Sequence, residues 1–200
     1  DVVGSTAFKH NKTYGGEEKP WLKFIHGFYT GFPPDLFTAK LTTTLLESEV
    51  HHDIPMPYLW KALGDELVFC VLLRHPSYAK YYIKAFRSAL IEACTKWVVE
   101  LNLPINFKGA AWLAGFPIHN TAVPLDTKER LSLDSEHFDF VGPLIDIGFR
   151  LSQMASPRKL VISADTAWLL TAANDGAGGL NFFYEGRHSL KGVLNDRPYP

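Results

Sequence analysis

The chain has few cysteines, almost no excess charge of either sign and no long apolar run. Its 200 residues include two cysteines, and 20 basic residues stand against 21 acidic ones, for a formal net charge of -1. Near-neutral charge gives no electrostatic reason to expect nucleic acid or a membrane as a partner. No apolar stretch approaches the roughly 18 residues of a membrane span, and the opening residues do not resemble a secretory leader. We therefore expect a cytoplasmic protein.

The scarcity of cysteine also excludes a disulfide framework and the common zinc motifs. Cys70 and Cys94 lie in apolar stretches, and neither belongs to a CxxC pair or a Cys/His ligand spacing. We expect both to be buried thiols without a redox role. The run His51–Asp53 is a weak candidate for zinc, because adjacent histidines on a loop point apart.

The composition is that of a globular domain. With 46% hydrophobic residues over its length, the chain suits one domain, 1–200, that buries its core without cross-links. The opening Asp1-Val2-Val3-Gly4-Ser5-Thr6 lacks the apolar strand expected before a Gly-Ser-Thr turn. We therefore expect the natural chain to have an N-terminal strand before residue 1.

Hydrophobic periodicity and turn residues predict alternating helices and strands. From the N-terminus the expected elements are a loop over 10–20, a helix over 21–29, a helix from 33 to 46, a hairpin of strands 58–63 and 67–73, a helix over 77–101, a strand over 107–116, a loop over 120–136, a helix over 143–154, a strand over 160–163, a helix over 165–173, and strands over 182–184 and 190–194. Such an order predicts an α/β sandwich with a mixed, mostly antiparallel sheet and flanking helices.

Two carboxylates are candidate metal ligands. Asp1 lies at a strand end and Asp65 at a hairpin tip, so they can converge if their strands are neighbours. Paired aspartates hold two Mg²⁺ or Mn²⁺ ions beside a triphosphate. Behind Asp1, the turn Gly4-Ser5-Thr6 leads toward a helix and offers backbone N–H groups to phosphate. The alternative for each acid is an ordinary turn residue.

Lys61 and Asp139 are charged residues in apolar surroundings. Lys61 lies in a strand otherwise suited to burial, and Asp139 lies between Phe138 and Phe140. A buried charge needs a partner, so structural salt bridges are one interpretation. As one donor and one acceptor, the two side chains could instead recognise the edge of a nucleobase.

Asp146 and Arg150 are four residues apart on the helix that follows Pro143, so they share a face. A simple helical ion pair is one interpretation. In the other, the guanidinium of Arg150 contacts a reacting α-phosphate, because its fixed fork of donors stabilises developing negative charge.

Together these motifs resemble the signatures of the class III nucleotidyl cyclases, the catalytic domain of adenylate and guanylate cyclases. The resembling segments are Trp60-Lys61-Ala62-Leu63-Gly64-Asp65-Glu66 and Asp139-Phe140-Val141-Gly142 through Arg150, and the likeness extends from Asp1 to Leu190-Lys191-Gly192-Val193. The resemblance implies a ferredoxin-like core with flanking helices. It also implies a homodimer of head-to-tail subunits, with each site at the subunit interface and a nucleoside triphosphate as substrate.

The resemblance further implies a role for each motif residue. Asp1, Val2 and Asp65 look like the ligands of two Mn²⁺ or Mg²⁺ ions, and Lys61 and Asp139 like the base-recognising pair. The remaining implied roles are transition-state stabilisation by Arg150 and triphosphate contacts by Lys191, Gly4, Ser5 and Thr6. Asp146 is a candidate catalytic residue that departs from the family, whose usual asparagine there orients the ribose.

The aspartate at position 146 suggests a subgroup of the cyclase family. The chain resembles the pyrimidine cyclases of bacterial Pycsar antiphage systems in three segments, Gly142–Arg150, Trp60–Glu66 and Phe107–Trp112. Such enzymes convert UTP or CTP to 3′,5′-cyclic UMP or cyclic CMP plus pyrophosphate, and the product activates an effector during infection. A conventional adenylate cyclase making cyclic AMP and an inactive nucleotide-sensing dimer remain as alternatives.

Bulky aromatic side chains near the motifs are consistent with a small base pocket that accepts a single-ring base. Tyr58, Trp60 and Trp112 could narrow a base pocket until it fits a pyrimidine. Ordinary core packing is the alternative for each of them.

Overall fold

The computed structural model describes residues 1–10, 13–14, 17–48, 54–125, 138–172 and 179–200. The strands are β1 (Val2–Val3), β2 (Thr13–Tyr14), β3 (Glu17–Glu18), β4 (Tyr58–Leu63), β5 (Glu66–Cys70), β6 (Asn106–Phe107), β7 (Gly109–Ala111), β8 (Thr121–Pro124), β9 (Phe138–Val141), β10 (Leu160–Ile162), β11 (His188–Ser189) and β12 (Pro198–Tyr199). The α-helices are α1 (Ser5–His10), α2 (Pro20–Gly31), α3 (Ala39–Glu47), α4 (Ala79–Ala93), α5 (Pro143–Ser152) and α6 (Ala164–Ala172).

The strands form short two-stranded sheets. Antiparallel pairs join β1 to β6, β2 to β3, β4 to β5, β8 to β9 and β11 to β12, and β7 pairs with β10. The predicted α/β class, an α/β sandwich with a mixed, mostly antiparallel sheet and flanking helices, is confirmed as a mixed α/β fold, in which the described strands pair in short, two-stranded sheets.

The chain divides into two compact units, both built from separate stretches of sequence. The first contains 1–109, 155–160 and 168–181, and the second contains 110–154, 161–167 and 182–200. The expectation of a single domain stays a prediction.

The core of the first unit is rich in aromatic side chains. Phe24 and Phe28 of α2 stack with ring centroids 5.8 Å apart, and both meet the ring of Trp97 edge-on at 5.9 Å. Phe107 of β6 lies 5.7 Å from Phe28. Edge-on and offset rings gain electrostatic energy beyond the burial of their area. This packing anchors β6, and with it the paired strand β1, against α2.

The second unit has a smaller core that joins α5 to the C-terminal strands. Its buried members are Ile147, Leu151, Leu190, Val193 and Tyr199. Because α5 carries two predicted site residues, this cluster fixes their helix against the segment that carries Lys191.

Helices α2 and α3 are joined without a break, whereas the sequence predicted that a new helix begins at Pro33. Helix α2 continues through a π-helical segment, Phe32–Thr38, into α3. Consecutive prolines lack amide hydrogens, so the regular i to i-4 ladder cannot close there and a wider turn replaces it.

Several predicted boundaries are wrong. The loop predicted over 10–20 contains the β2–β3 hairpin, and the loop predicted over 120–136 contains β8 at its described end. The strand predicted over 107–116 ends at Ala111. No strand forms over 182–184, and the final pair is β11 with β12. These strands are only two to four residues long, too short to show an alternating pattern in the sequence.

The long helix, the hairpin and the helix after Pro143 follow the prediction. Helix α4 passes into a π-helical segment at Cys94–Glu100, and β4 and β5 form the expected hairpin. The run His51–Asp53 lies outside the described residues. No helix in the described part of the chain is long and apolar enough to cross a membrane.

The cysteines are half-buried, whereas the sequence predicted buried thiols. Both are free. Burial raises the pKa of Cys70 to about 11 and raises that of Cys94. Both thiols therefore stay protonated near neutral pH, which makes them poor nucleophiles.

Candidate active site

The two predicted metal carboxylates lie on neighbouring backbone segments of the first unit. The amide of Val2 donates to the carbonyl oxygen of Asp65 at 3.1 Å, so strand β1 runs beside the tip of the β4–β5 hairpin. On its other side, the carbonyl of Asp1 accepts from the amide of Lys108 at 3.0 Å. The hydrogen bonds thus bring the backbones of Asp1, Val2 and Asp65 together.

Each carboxylate contacts a lysine. Lys108 Nζ lies 3.0 Å from Asp1 Oδ2, and Lys9 Nζ lies 3.6 Å from Asp65 Oδ1. Both aspartate side chains are 25% exposed. A cation offsets part of the cost of burying a carboxylate. Here the ammonium groups of the two lysines have that role. Sequence reasoning missed both lysines, because each comes from another element and has no motif.

The donor chemistry of this pair fits a hard divalent cation. Carboxylate oxygens suit Mg²⁺ and Mn²⁺, and substrate phosphates commonly complete their coordination. Within the described ranges, no group of three or more His, Cys, Asp or Glu side chains could hold a metal ion. A metal bound here would therefore depend on two carboxylates together with backbone or substrate oxygens.

Backbone hydrogen bonds also fix Asp1 on the side of β6. The backbone nitrogen of Asp1 donates to the carbonyl oxygen of Lys108 at 3.1 Å, and the amide of Lys108 donates back to the carbonyl oxygen of Asp1 at 3.0 Å. This reciprocal pair holds Asp1 against the residue that follows β6.

Two glycine turns hold the site residues of the first unit. Gly64 has φ +69°, and its carbonyl accepts a hydrogen bond from the hydroxyl of Tyr29 on α2. Gly4 has φ +85°, and a Cβ there would lie 3.1 Å from the carbonyl oxygen of Pro104. Positive φ favours glycine at both turns. Gly4 leads into α1, where Ser5 is buried and Thr6 is exposed.

Lys61 lies at an irregularity of the hairpin. Leu59 pairs with Phe69 and Lys61 pairs with Val68, so Trp60 is an extra residue in β4. Such a β-bulge redirects side chains, and bulges are frequent beside active sites. Here Lys61 Nζ lies 4.5 Å from the centroid of the Trp60 ring. The indole face thus supports the ammonium by a cation–π contact.

In the second unit, strand β9 carries Asp139, and the side chain of Asn120 holds the first turn of helix α5. Asp139 lies in β9 opposite Val123, and its Oδ1 is buried. Asn120 is 2% exposed, donates to the carbonyl of Gly115 at 2.8 Å and accepts from the amide of Leu144 at 3.2 Å. The asparagine oxygen therefore satisfies an amide of the first turn of α5, as an N-cap side chain would.

Glycine is required in the middle of α5 because an indole lies against it. A Cβ on Gly148 would come within 2.0 Å of the Trp112 ring, and the same ring lies 5.7 Å from that of Phe149. Trp112 therefore packs on the face of α5 opposite to the one that Asp146 and Arg150 share. This contact agrees with the packing interpretation of Trp112.

We expect Gly148→Ala to lower the free energy of unfolding by about 1–3 kcal/mol, because overpacking forces Trp112 to move. Gly27→Ala in α2 is the matched control, since its Cβ would meet nothing within 4 Å. Alanine is the better helix former, so the control should gain about 0.5–1 kcal/mol. Urea unfolding of both variants measures the difference, and equal stabilities would contradict the packing argument.

Arg150 and Lys191 line one cleft of about 290 Å³ in the second unit. The full lining is Arg150, Gln153, Met154, His188, Ser189, Leu190 and Lys191. Arg150 is half-buried on α5, and Lys191 is exposed in the turn closed by the hydrogen bond from Val193 N to Leu190 O. Two cationic side chains that line one cleft make it a candidate anion site.

The predicted residues thus fall into two groups. The first unit contains Asp1, Val2, Gly4, Ser5, Thr6, Lys61 and Asp65, and the second contains Asp139, Asp146, Arg150 and Lys191. Asp146 is exposed on the first turn of α5. Sequence reasoning missed Lys9, Lys108, Tyr29 and His188.

Comparisons with known proteins give a structural likeness. No protein-family model and no curated protein sequence matches the chain. The adenylyl cyclase CyaB from P. aeruginosa is similar in structure, with a TM-score of 0.59 and 12% identity over 100% of this chain and 87% of that one. The guanylyl cyclase Cya2 is also similar, with a TM-score of 0.54 and 12% identity over 100% of this chain and 85% of that one. This protein therefore has the fold of these two nucleotide cyclases.

Proposed function

We propose that the protein is a metal-dependent nucleotide cyclase that converts UTP or CTP to the 3′,5′-cyclic monophosphate and pyrophosphate. The observation that carries the proposal is the juxtaposition of Asp1 and Asp65 in a fold shared with an adenylyl and a guanylyl cyclase. The second support is the cleft lined by Arg150 and Lys191, two cations that could bind phosphate.

In the proposed reaction, the ribose 3′-oxygen forms a bond to the α-phosphorus while the bond from that phosphorus to pyrophosphate breaks. Asp1 and Asp65, with the backbone carbonyl of Val2, would bind two Mg²⁺ or Mn²⁺ ions. Such ions acidify the 3′-hydroxyl and neutralise the leaving group when bound. The hydroxyl proton passes to solvent.

The chain's own residues bind and orient the substrate. Lys61 donates to the base edge and Asp139 accepts from it, while Arg150 stabilises the charge that develops on the α-phosphate. Lys191 and the backbone of Gly4-Ser5-Thr6 would hold the other phosphates. Asp146, on the same face as Arg150, would meet the ribose.

A homodimer would complete the site. In the proposed head-to-tail pair, Asp65 of one chain would act with Arg150 of the other, so Lys61 and Asp65 of one chain would serve different sites. Such an arrangement gives two equivalent interfacial sites related by a two-fold axis.

The preference for a pyrimidine is supported by Asp146, which stands where purine cyclases usually have asparagine, and by the likeness of the motifs to Pycsar cyclases. In that role the product is a second messenger of antiphage defence in the cytoplasm, and a separate effector responds to it. The structural likeness to the adenylyl cyclase CyaB makes cyclic AMP synthesis the second candidate.

We expect UTP or CTP to be cyclised at least about tenfold faster than ATP or GTP, which is a difference of about 1.4 kcal/mol in transition-state binding. The measurement is product formation from each of the four triphosphates with Mn²⁺, and Arg150→Ala is the inactive control. Fastest turnover of ATP would favour adenylate cyclase. Binding of nucleotide without any product would favour a nucleotide-sensing dimer.

A further inference from the structure

We infer that His188 is a polyphosphate-binding residue of this protein, acting beside Arg150 and Lys191. The inference rests on the proposed function and deepens it. It adds a cationic contact to the phosphate chain, beside Arg150 at the α-phosphate and Lys191 at the other phosphates, on a strand that the sequence motifs do not include.

The cleft has the size and charge of a phosphate-chain site. Its volume of about 290 Å³ is near the lower limit of small-ligand pockets, which suits a polyphosphate better than a whole nucleotide. None of the seven lining residues is acidic. Converging cations without a carboxylate repel one another, so a bound anion lowers the electrostatic energy of the cleft.

Strand pairing holds His188 in the lining of this cleft. It pairs with Tyr199 in the β11–β12 sheet, and Tyr199 is buried together with Leu190 and Leu151. Leu151 directly follows Arg150 on α5. The same small core therefore fixes the strand of His188 against the helix of Arg150, which preorganises the two side chains for one ligand.

The orientation of the imidazole leaves a ring nitrogen for a ligand. Nε2 of His188 lies 3.3 Å from the carbonyl oxygen of Glu185, which accepts from it when Nε2 is protonated. The second nitrogen, Nδ1, can then bind a proton and donate to an anion, because both nitrogens of an imidazolium are donors.

The test uses inorganic pyrophosphate, the product of the proposed reaction, as probe. In calorimetric titrations without divalent metal, His188→Gln should bind pyrophosphate about tenfold more weakly than wild type, the loss of one charge-assisted hydrogen bond. Glutamine keeps an Nε2 donor for the carbonyl of Glu185, so the local fold is preserved. His26→Gln, on an exposed position of α2, is the matched control and should bind like wild type.

Kinetics supply a second readout. If His188 holds phosphates equally in the ground and transition states, His188→Gln raises KM for the triphosphate about tenfold and leaves kcat within about twofold. A merely structural role would instead lower the unfolding free energy together with kcat.

The outcomes separate this inference from the proposed function. Pyrophosphate binding that is absent in wild type, unchanged in His188→Gln, or equally weakened in His26→Gln overturns the role of His188, whether or not the enzyme makes a cyclic nucleotide. Weakened binding confined to His188→Gln, in a protein that cyclises none of the four triphosphates, supports the role and refutes the cyclase.

Discussion

Asp65→Asn should lower product formation by about a thousandfold or more while the protein stays folded. Asparagine keeps the size of the side chain but binds a divalent cation poorly, and metal ions supply several kcal/mol of transition-state stabilisation. The fold should tolerate the change because the hydrogen bond from Val2 uses the backbone carbonyl of Asp65. The lost ion pair with Lys9 is partly exposed and is worth at most about 1 kcal/mol.

The matched control is Glu66→Gln, the neighbouring acid in the same hairpin. It removes one negative charge from the same surroundings without touching a proposed ligand, so activity should fall less than about tenfold. Turnover with Mn²⁺ and urea unfolding are measured on both variants. A folded Asp65→Asn protein that still makes product at the wild-type rate would disprove the metal assignment.

Mixing two inactive variants should restore about a quarter of wild-type activity. The variants are Asp65→Ala, which lacks a metal ligand, and Arg150→Ala, which lacks the proposed transition-state contact. In a head-to-tail mixed dimer, one site collects both lesions and the other collects none. Random exchange makes about half of the dimers mixed, and each of these has one intact site of two.

The measurement is activity after the two proteins have exchanged subunits, with exchange followed by differently tagged chains. Asp65→Ala mixed with Asp65→Asn is the control, because every site in that mixture lacks a metal ligand and should stay inactive. If both residues acted within one chain, every site would carry a lesion. Proven exchange without rescue would refute the interfacial site.

The elements that the sequence predicted well have strong local signals. The β4–β5 hairpin follows from two β-prone runs around Gly64, and α5 follows from Pro143 before a helical apolar pattern. Strand β8 was missed because Thr121–Pro124 lacks alternation and forms only by pairing with β9. Local propensity cannot show a strand whose hydrogen bonds all come from another segment.

The candidate site likewise contains residues that the sequence predicted and residues that only the tertiary structure reveals. Motif spacing was enough to nominate Asp1 and Asp65, and their backbones are neighbours. Their lysine partners could not be predicted, since ion pairs between distant segments depend on tertiary packing rather than on spacing. Lys108 reaches Asp1 only because β6 pairs with β1.

The bulge at Trp60 has a consequence for how this sequence can vary. Side chains of a strand alternate between two faces, so one extra residue reverses the assignment of faces between Leu59 and Ala62. Directly opposed residues share a face, so deletion of Trp60 would leave Leu59 opposite Phe69 and Lys61 opposite Val68, each on its present face, in a regular ladder. A one-residue gap at Trp60 in an alignment of related chains would therefore mark the loss of the bulge, and of the indole beside Lys61, without reversing the faces of the strand.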